Sequence, residues 1–318
     1  MDTISELLRA ISMMLVFILL AQLLKRRDVL KPGHLPLLTV LVVDIVFPAF
    51  LFYALAHVTI DLEKPRLPLY LAAGEFLCLG VAWLLAGLMR LGRKQTGAFL
   101  LAATFGSTSF LGIPIIQQVM AGSPEAMADA VISLEFGMSL VLVTVGVAVA
   151  MHYGQNERGQ GKQYIRQFFR GPVFGATVLG LIWSVADLPK TGFLPELVFH
   201  ACELAGDAMP LLAGLCVGLM LRPIGWRDCL PVLAVVIAIK SLLQPLVVGL
   251  LGNVSGLDAV AFEVIVILAA MPAAAFTAVL SERFGCDGAL ATTLVVGSLV
   301  AALATVPLSL FLLQRMSV

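Results

Sequence analysis

Apolar runs about 20 residues long follow one another along almost the whole chain, and this feature restricts the possible folds more than any other. An α-helix needs a run of that length to cross the hydrocarbon core of a bilayer. Of the 318 residues, 60% are hydrophobic and only 13% are charged, and the mean hydropathy is +1.02. The sequence therefore predicts an all-α polytopic membrane protein.

We place ten transmembrane spans along the chain. They lie near residues 7–24, 35–56, 68–90, 97–121, 127–150, 171–187, 196–221, 229–251, 259–281 and 287–313. Five spans fall in residues 1–150 and five in residues 171–318, with a basic loop at 151–170 between them. Because each half has an odd number of spans, the halves insert with opposite orientations, and a repeat between them is inverted.

Basic residues are concentrated in the loops on one side of the predicted bundle. These loops hold Lys25, Arg26, Arg27, Lys31, Arg90, Arg93, Lys94, Arg158, Lys162, Arg166, Arg170, Arg222, Arg227 and Arg283. Lys and Arg are enriched in cytoplasmic loops of membrane proteins. We therefore expect these loops in the cytoplasm, and both termini outside.

Two of the apolar runs are interrupted at corresponding places in the two halves. The first interruption lies in Thr104–Pro114 and the second in Ile267–Thr277. Proline removes a backbone donor and glycine loosens a helix, so both segments should leave backbone groups that need partners at membrane depth. Earlier landmarks also repeat, at Asp44–Pro48 and Asp207–Pro210. Paired interruptions of this kind indicate the substrate site of a secondary transporter.

The residues around the two interruptions are the candidate binding site. Half-helices that begin there present free N–H groups and positive dipole ends, which favour anions. The predicted substrate-binding residues are Thr108, Ser109, Gly112, Pro114, Met271, Pro272 and Ala273, with Asp44 and Tyr53 reaching the site from a neighbouring span. The Ser and Thr hydroxyls have a second interpretation, since they often satisfy local carbonyl groups in membrane helices.

Ionisable residues inside the spans are the candidates for energy coupling, because burying them in a membrane is costly. Glu75 lies in span three, Lys240 in span eight and Glu135 in span five. Spans three and eight occupy equivalent places in the two halves, so Lys240 could pair with Glu75 near the crossing. Two interpretations stay open: a fixed ion pair, or a Glu75 carboxyl that exchanges a proton and couples transport to pH. Glu135 is a supporting candidate.

Glycines four residues apart predict close helix contacts. They occur at Gly171–Gly175 and Gly214–Gly218, in spans six and seven. Either a contact within the bundle or a dimer contact fits this spacing, and we favour the first.

Several other classes of function find no support in the sequence. The five cysteines form no CxxC pair, and there is no Walker loop, HExxH motif or Gly-x-Ser-x-Gly elbow, so we expect neither a metal or other cofactor nor an enzyme. The formal net charge is zero, which gives no reason to expect a nucleic-acid partner. A sodium-coupled anion carrier, a membrane sensor that does not transport its ligand and an intramembrane enzyme that uses Ser109 stay as alternatives.

Several segments, in the same order and spacing, resemble the auxin efflux carrier family. These segments are Gly106–Pro114, Pro210–Leu219, Lys240–Pro245, Met271–Phe276 and Gly285–Val295. The resemblance extends over essentially the whole chain. It implies a bacterial relative of the plant PIN carriers, in the branch that includes malonate and malate permeases, and hence an inner-membrane protein.

The resemblance also implies an architecture. The fold of that family has ten helices in two inverted five-helix repeats. Spans 1, 2, 6 and 7 would form a scaffold, often dimeric, and spans 3–5 and 8–10 a moving transport domain. The broken fourth and ninth helices would cross at the substrate site. The expected partners are a small organic anion, the lipid bilayer and a second copy of the chain.

One departure from the family pattern concerns the substrate. The plant carriers have asparagines beside the crossover prolines, whereas this chain has Ile113 and Met271 before them and Ala273 after. The departure weighs against auxin-like ligands and in favour of small carboxylates such as malonate or malate.

Overall fold

The structure is a computed structural model that describes residues 2–57, 66–120, 123–154, 170–221 and 226–314. All regular secondary structure in these ranges is helical, which confirms the predicted all-α class. The α-helices of the described ranges are α1 (Asp2–Arg26), α2 (Leu35–Val40), α3 (Phe47–His57), α4 (Arg66–Leu88), α5 (Arg93–Thr104), α6 (Ile113–Val119), α7 (Pro124–Ile132), α8 (Val147–Gly154), α9 (Pro172–Val185), α10 (Phe193–Asp207), α11 (Met209–Met220), α12 (Trp226–Ala238), α13 (Gln244–Val254), α14 (Ala259–Ala269), α15 (Ala275–Phe284) and α16 (Gly288–Gln314).

Short π-helical segments join several of these helices, and one 3₁₀ turn, Pro32–His34, precedes α2. The π-helical segments are Leu41–Val46, Thr108–Gly112, Ser133–Ser139, Leu142–Gly146 and Ile239–Leu243. A π-helical turn bonds residues five apart instead of four, and such turns occur frequently at functional sites. These segments are therefore natural places to look for functional side chains.

Six helical stretches within the described residues are long and apolar enough to cross a membrane. They are Pro32–His57, Arg66–Leu88, Glu125–Gly154, Phe193–Met220, Cys229–Val254 and Gly288–Leu308. The shorter helices α9 and α14 are also apolar, and α1 lies where the first span is predicted. The chain is therefore a multi-pass membrane protein, whereas the count of ten spans stays a prediction.

Both predicted helix interruptions are present. Helix α5 ends at Thr104 and is followed by extended backbone at Phe105. Helix α14 ends at Ala269, and α15 begins only at Ala275. Pro272 lies in this second gap, where it has no N–H to donate and disfavours helical geometry in the residue before it. The local sequence thus accounts for the interruptions.

Two glycines bring α11 close to α1. A β-carbon on Gly214 would lie 2.6 Å from the β-carbon of Phe17, and one on Gly218 would overlap that of Ala21. Larger residues would force the helices apart, so the structure confirms the predicted contact at Gly214–Gly218 within the bundle. A β-carbon on Gly175, in the other predicted pair, would meet nothing within 4 Å, so Gly175 marks no such contact.

Helix α1 also satisfies the carbonyl end of α11. The ammonium of Lys25 donates to the carbonyl oxygens of Leu219 and Leu221, at 3.1 and 3.3 Å. The amide of Gln22 donates to the carbonyl oxygen of Gly218 at 2.5 Å. Because the last carbonyls of a helix have no partner within it and carry its negative dipole end, these bonds hold the two helices in register.

Candidate substrate-binding site

The two helix interruptions meet in the interior. Gly106 and Ala273 form an antiparallel β-bridge. The amide of Ser107 donates to the carbonyl oxygen of Pro272 at 2.8 Å, and the amide of Ala274 donates to that of Phe105 at 3.0 Å. Backbone groups that leave their helices at membrane depth therefore find partners in each other, as the lack of water there requires.

Small residues make this close approach possible. A β-carbon on Gly106 would lie 2.9 Å from the Lys240 ammonium nitrogen and 3.2 Å from the carbonyl oxygen of Met271. Gly112 is equally confined, because its β-carbon would lie 2.9 Å from the side chain of Leu268. A side chain at Gly106 would displace the Lys240 ammonium and crowd the Met271 carbonyl, and one at Gly112 would displace the side chain of Leu268.

A small pocket with a cavity volume of about 40 Å³ lies beside the bridge. Its polar part consists of Glu75, Ser107, Thr108, Ser109 and Ser139. The remaining lining residues, which are mostly apolar, are Phe47, Phe50, Phe105, Gly106, Met138, Leu142, Met209, Ala274 and Phe276. An apolar pocket with a few convergent polar groups is the usual form of a small-molecule site. Thr108 and Ser109 were predicted to bind substrate, and the structure places both here.

Lys240 stabilises the backbone at the first interruption. Its side chain is fully buried, and its ammonium donates to the carbonyl oxygen of Thr104 at 3.2 Å and to the side-chain oxygen of Gln244. Thr104 is the last residue of α5, so the positive charge lies at the negative end of that helix dipole. Lys240 therefore stabilises a carbonyl end that the interruption leaves without helical partners.

Glu75 lies in the same region without a hydrogen-bond partner. The residue is fully buried, and neither of its carboxylate oxygens is hydrogen-bonded within the described structure. Glu75 and Lys240 are near enough to interact electrostatically, but they form no hydrogen-bonded pair. The predicted pairing of Lys240 with Glu75 is therefore an electrostatic interaction without a hydrogen bond, because Thr104 and Gln244 accept the hydrogen bonds of the ammonium. The coupling role of Glu75 stays a prediction.

Glu135 reaches the pocket indirectly. Its carboxylate is hydrogen-bonded to the side chain of Ser139, and Ser139 lines the pocket. The second carboxylate oxygen of Glu135 has no partner in the described part of the chain. The arrangement fits a residue that orients Ser139, and the supporting role predicted for Glu135 stays a prediction.

The π-helical segments carry six of the predicted functional residues. Asp44, Glu135 and Lys240 lie on separate segments, and Thr108, Ser109 and Gly112 lie on another. Hydrophobic periodicity does not reveal a π-helical turn, since one extra residue per turn is a small local change.

The other predicted binding residues form the frame of the crossing. Pro272 accepts the bond from Ser107, and the amide of Ala273 donates to the hydroxyl of Ser298 at 3.2 Å. Met271 is fully buried beside Gly106 and Gly112, and Pro114 lies in the first turn of α6. Met271, Pro272 and Ala273 shape the crossing by packing and by backbone bonds. The contact of these residues and of Pro114 with a substrate stays a prediction.

Asp44 and Tyr53 do not line the pocket. Asp44 accepts a hydrogen bond of 2.6 Å from the guanidinium of Arg283. The Tyr53 hydroxyl donates to Glu203 at 3.1 Å, and its ring packs near His57. Both residues point to places other than the crossing in this conformation, and their predicted substrate contacts stay predictions.

Sequence reasoning missed the aromatic lining of the pocket. Phe47 and Phe276 pack with ring centroids 3.9 Å apart, and Phe50 and Phe105 complete the aromatic part. The only available signal was position, because Phe105 and Phe276 adjoin the two interruptions and Phe47 precedes the repeated Pro48.

A bundle of apolar helices, with two interrupted helices bonded to each other beside a polar pocket, defines an integral membrane protein of the transporter class. The family model described as "Membrane transport protein" matches residues 7–158 and again residues 158–310. The chain belongs to this family, the auxin efflux carriers, which confirms the resemblance seen in the sequence. It is a family of transporters and not of enzymes.

Two archaeal proteins are similar over most of their lengths. An uncharacterized transporter of Methanothermobacter thermautotrophicus is 25% identical over 296 residues, which cover 92% of this chain and 94% of the relative. An uncharacterized transporter of Methanocaldococcus jannaschii is 21% identical over 281 residues, covering 86% and 88%. Both similarities agree with a transporter and leave the substrate open.

Proposed function

We propose that this protein is a secondary active transporter of small organic anions, carboxylates such as malonate, malate or auxin-like acids. The observation that carries the proposal is the pocket at the paired interruptions. The helical segments that begin at Thr108 and Ala275 both start there, so their first N–H groups lie at the crossing. Helix N-termini favour anions, and the hydroxyls of Thr108 and Ser109 add donors.

The proposed architecture has ten spans in two inverted five-helix repeats. Two observations support it. The family model matches the chain twice, and the two matches meet near the middle of the sequence. Each half also contains one interrupted helix, and the interruptions pair antiparallel, as a twofold relation in the membrane plane requires.

The proposed mechanism is an elevator-like movement of spans 3–5 and 8–10 against a scaffold of spans 1, 2, 6 and 7. The composition of the pocket supports it. Phe47, Phe50 and Met209 belong to the proposed scaffold, whereas Glu75 and Phe105–Ser109 belong to the proposed moving part. A substrate held between two such parts is carried when one moves along the other.

Proton coupling through Glu75 follows from the chemistry of the pocket. A buried carboxylate without hydrogen bonds is costly when it is charged, and a bound anion nearby would add repulsion. Taking up a proton removes both costs, so a protonated Glu75 and an anion fit the pocket together. The proposed coupling is therefore a proton that accompanies the substrate, while Lys240 keeps its charge at the carbonyl end of α5.

The proposed setting is the inner membrane, with both termini outside and the basic loops in the cytoplasm. The asymmetry of Lys and Arg supports this orientation. A homodimer through the scaffold helices is part of the same proposal, and the exposed apolar residues of α10, such as Phe193 and Leu197, offer a surface for it.

Counterflow in proteoliposomes tests the function. Vesicles containing the purified protein are loaded with unlabelled malonate, malate or an indole carboxylate and receive the same labelled acid without an ion gradient. We expect tracer to accumulate for at least one acid, and protein-free vesicles serve as the control. Repeating the assay with a sodium gradient tests the alternative of a sodium-coupled anion carrier, in which the gradient itself drives accumulation. Tight vesicles with folded protein that accumulate none of the acids would contradict the proposal.

A further inference from the structure

A second pocket lies beside Asp44 and the end of α15. It has a cavity volume of about 420 Å³. Asp44 lines one side, Phe284 at the end of α15 lines another, and Arg170 lies where the chain leads into α9. In the proposed orientation this access crevice opens at the cytoplasmic end of the bundle.

Arg283 reaches the access crevice through its bond to the lining residue Asp44, and its donors are not all used. Arg283 donates to Asp44 through one terminal nitrogen, at 2.6 Å, and the two side chains are 34% and 28% exposed. The Nε–H of Arg283 is buried without a hydrogen-bond partner in the described residues. A guanidinium offers five donors in a rigid fork and binds carboxylates best through two of them. Asp44 therefore leaves donor capacity for another carboxylate.

The ion pair joins the same two segments that carry an aromatic contact at the inner pocket. Phe47 lies about one helical turn beyond Asp44, and Phe276 lies about two turns before Arg283. The rings of Phe47 and Phe276 are 3.9 Å apart between centroids, and both line the inner pocket. We therefore expect a change at Arg283 to be transmitted along α15 to this aromatic contact at the inner pocket.

We propose that the access crevice is a carboxylate-binding site in which the incoming carboxylate takes Arg283 from Asp44. The inference rests on the proposed function, since it assumes that carboxylates are carried. Asp44 repels an incoming anion, whereas Arg170 and Arg283 attract it, so the anion binds by exchange for Asp44. The exchange frees the segment of Asp44 from α15 and loosens the aromatic contact at the inner pocket.

Side-specific kinetics test the proposal. The full-length protein is reconstituted, and the malonate KM is measured separately from each face in vesicles of known orientation. Asp44→Asn frees Arg283, so we expect a KM several-fold lower on the Arg283 face and unchanged on the other face. Arg283→Gln should raise the KM on that face about tenfold. Arg27→Gln, which removes an exposed charge at the same end, should leave both values unchanged.

Each result decides between exchange and a structural ion pair. A lower malonate KM in Asp44→Asn cannot arise from misfolding, so it supports the exchange of Asp44 for the incoming carboxylate. An unchanged KM in Arg283→Gln, or an Asp44→Asn variant weakened on both faces, would overturn the proposal. If the wild type transports none of the acids tested by counterflow, the proposed function fails separately. Protection of detergent-purified Asp44→Asn by malonate in thermal unfolding, lost in Arg283→Gln, would still support the site, and its absence would overturn it.

Discussion

Lys240 donates a hydrogen bond of 3.2 Å from its ammonium to the carbonyl oxygen of Thr104, 136 residues earlier in the chain. The bond connects the π-helical segment Ile239–Leu243 with the carbonyl end of α5. A neutral donor would be enough to satisfy the single carbonyl of Thr104. The charged ammonium of Lys240 also interacts favourably with the partial negative charge at the end of α5. The crossing therefore depends on a cation contributed by the other half of the chain.

Replacing this cation should destabilise the protein. Lys240→Met removes the donor to Thr104 and leaves Gln244 and Glu75 without their nearest positive charge, at a cost of about 2 kcal/mol or more. Thermal unfolding in detergent measures the loss. Lys240→Met with Glu75→Gln should recover part of it, because the second change removes the uncompensated charge. A double variant that loses the full sum of the single losses would contradict the electrostatic link.

Adding one methyl group at the bridge should disturb the crossing. In Gly106→Ala the new β-carbon would lie 2.9 Å from the Lys240 ammonium nitrogen, so we expect a loss of about 1–3 kcal/mol and little transport. Gly80→Ala is the matched control, since its β-carbon meets nothing within 4 Å in the middle of α4. The control should be neutral or more stable by up to about 1 kcal/mol. Equal behaviour of the two variants in thermal unfolding and counterflow would show that close packing at Gly106 is unimportant.

The hydroxyls at the pocket should contribute to affinity. Thr108→Val keeps the shape and removes a donor to a charged ligand, at a cost of about 1.5 kcal/mol or more, which corresponds to an increase in KM of about tenfold. Ser109→Ala should act in the same direction, with thermal stability unchanged in both. Concentration-dependent counterflow provides the KM. Full transport by Ser109→Ala would leave that serine neither a binding role nor the role of a nucleophile.

The pH dependence should identify the coupling residue. Glu75→Gln keeps the size of a protonated glutamate and removes the titration, so we expect counterflow to continue while a pH gradient no longer drives accumulation. Wild-type vesicles under the same gradient should concentrate the substrate. Glu135→Gln is the comparison at a second buried carboxyl. A Glu75→Gln variant that still responds normally to the gradient would exclude Glu75 as the coupling group.

The contact between α1 and α11 should tolerate no side chain. In Gly218→Ala the new methyl would lie 2.6 Å from the carbonyl oxygen of Ile18 as well as overlapping Ala21. We expect a loss of about 1–3 kcal/mol in detergent. Gly175→Ala, where the new β-carbon would meet nothing within 4 Å, should unfold like the wild type. The measurement compares the thermal unfolding midpoints of the two variants. A higher midpoint for Gly218→Ala than for Gly175→Ala would refute the packing argument.

The interruptions could be predicted because their causes are local. A proline in the second gap and glycines in the first act on their own backbone, so the sequence alone places them within a few residues. Thr108 and Ser109 were predicted for the same reason, since they follow the first interruption directly. The multi-pass class followed from the length of the apolar runs.

The partners of the buried charges could not be predicted, because they depend on packing between distant segments. Arg283 and Asp44 are separated by 239 residues, and no periodicity links them. The choice of Lys240 between Glu75 and the carbonyl oxygen of Thr104 depends on small displacements within the core. The π-helical turns add a further shift in side-chain direction that hydrophobic pattern does not record.

The bonds between the two interruptions have a consequence for the synthesis of the protein. The carbonyl oxygen of Phe105 and the amide of Ser107 have partners that lie in the second half of the chain. While the ribosome has made only the first half, these groups have nothing to bond with in the bilayer. During synthesis, the first half must therefore remain in the membrane with these backbone groups unpaired. They gain their partners only when the last spans are inserted beside it.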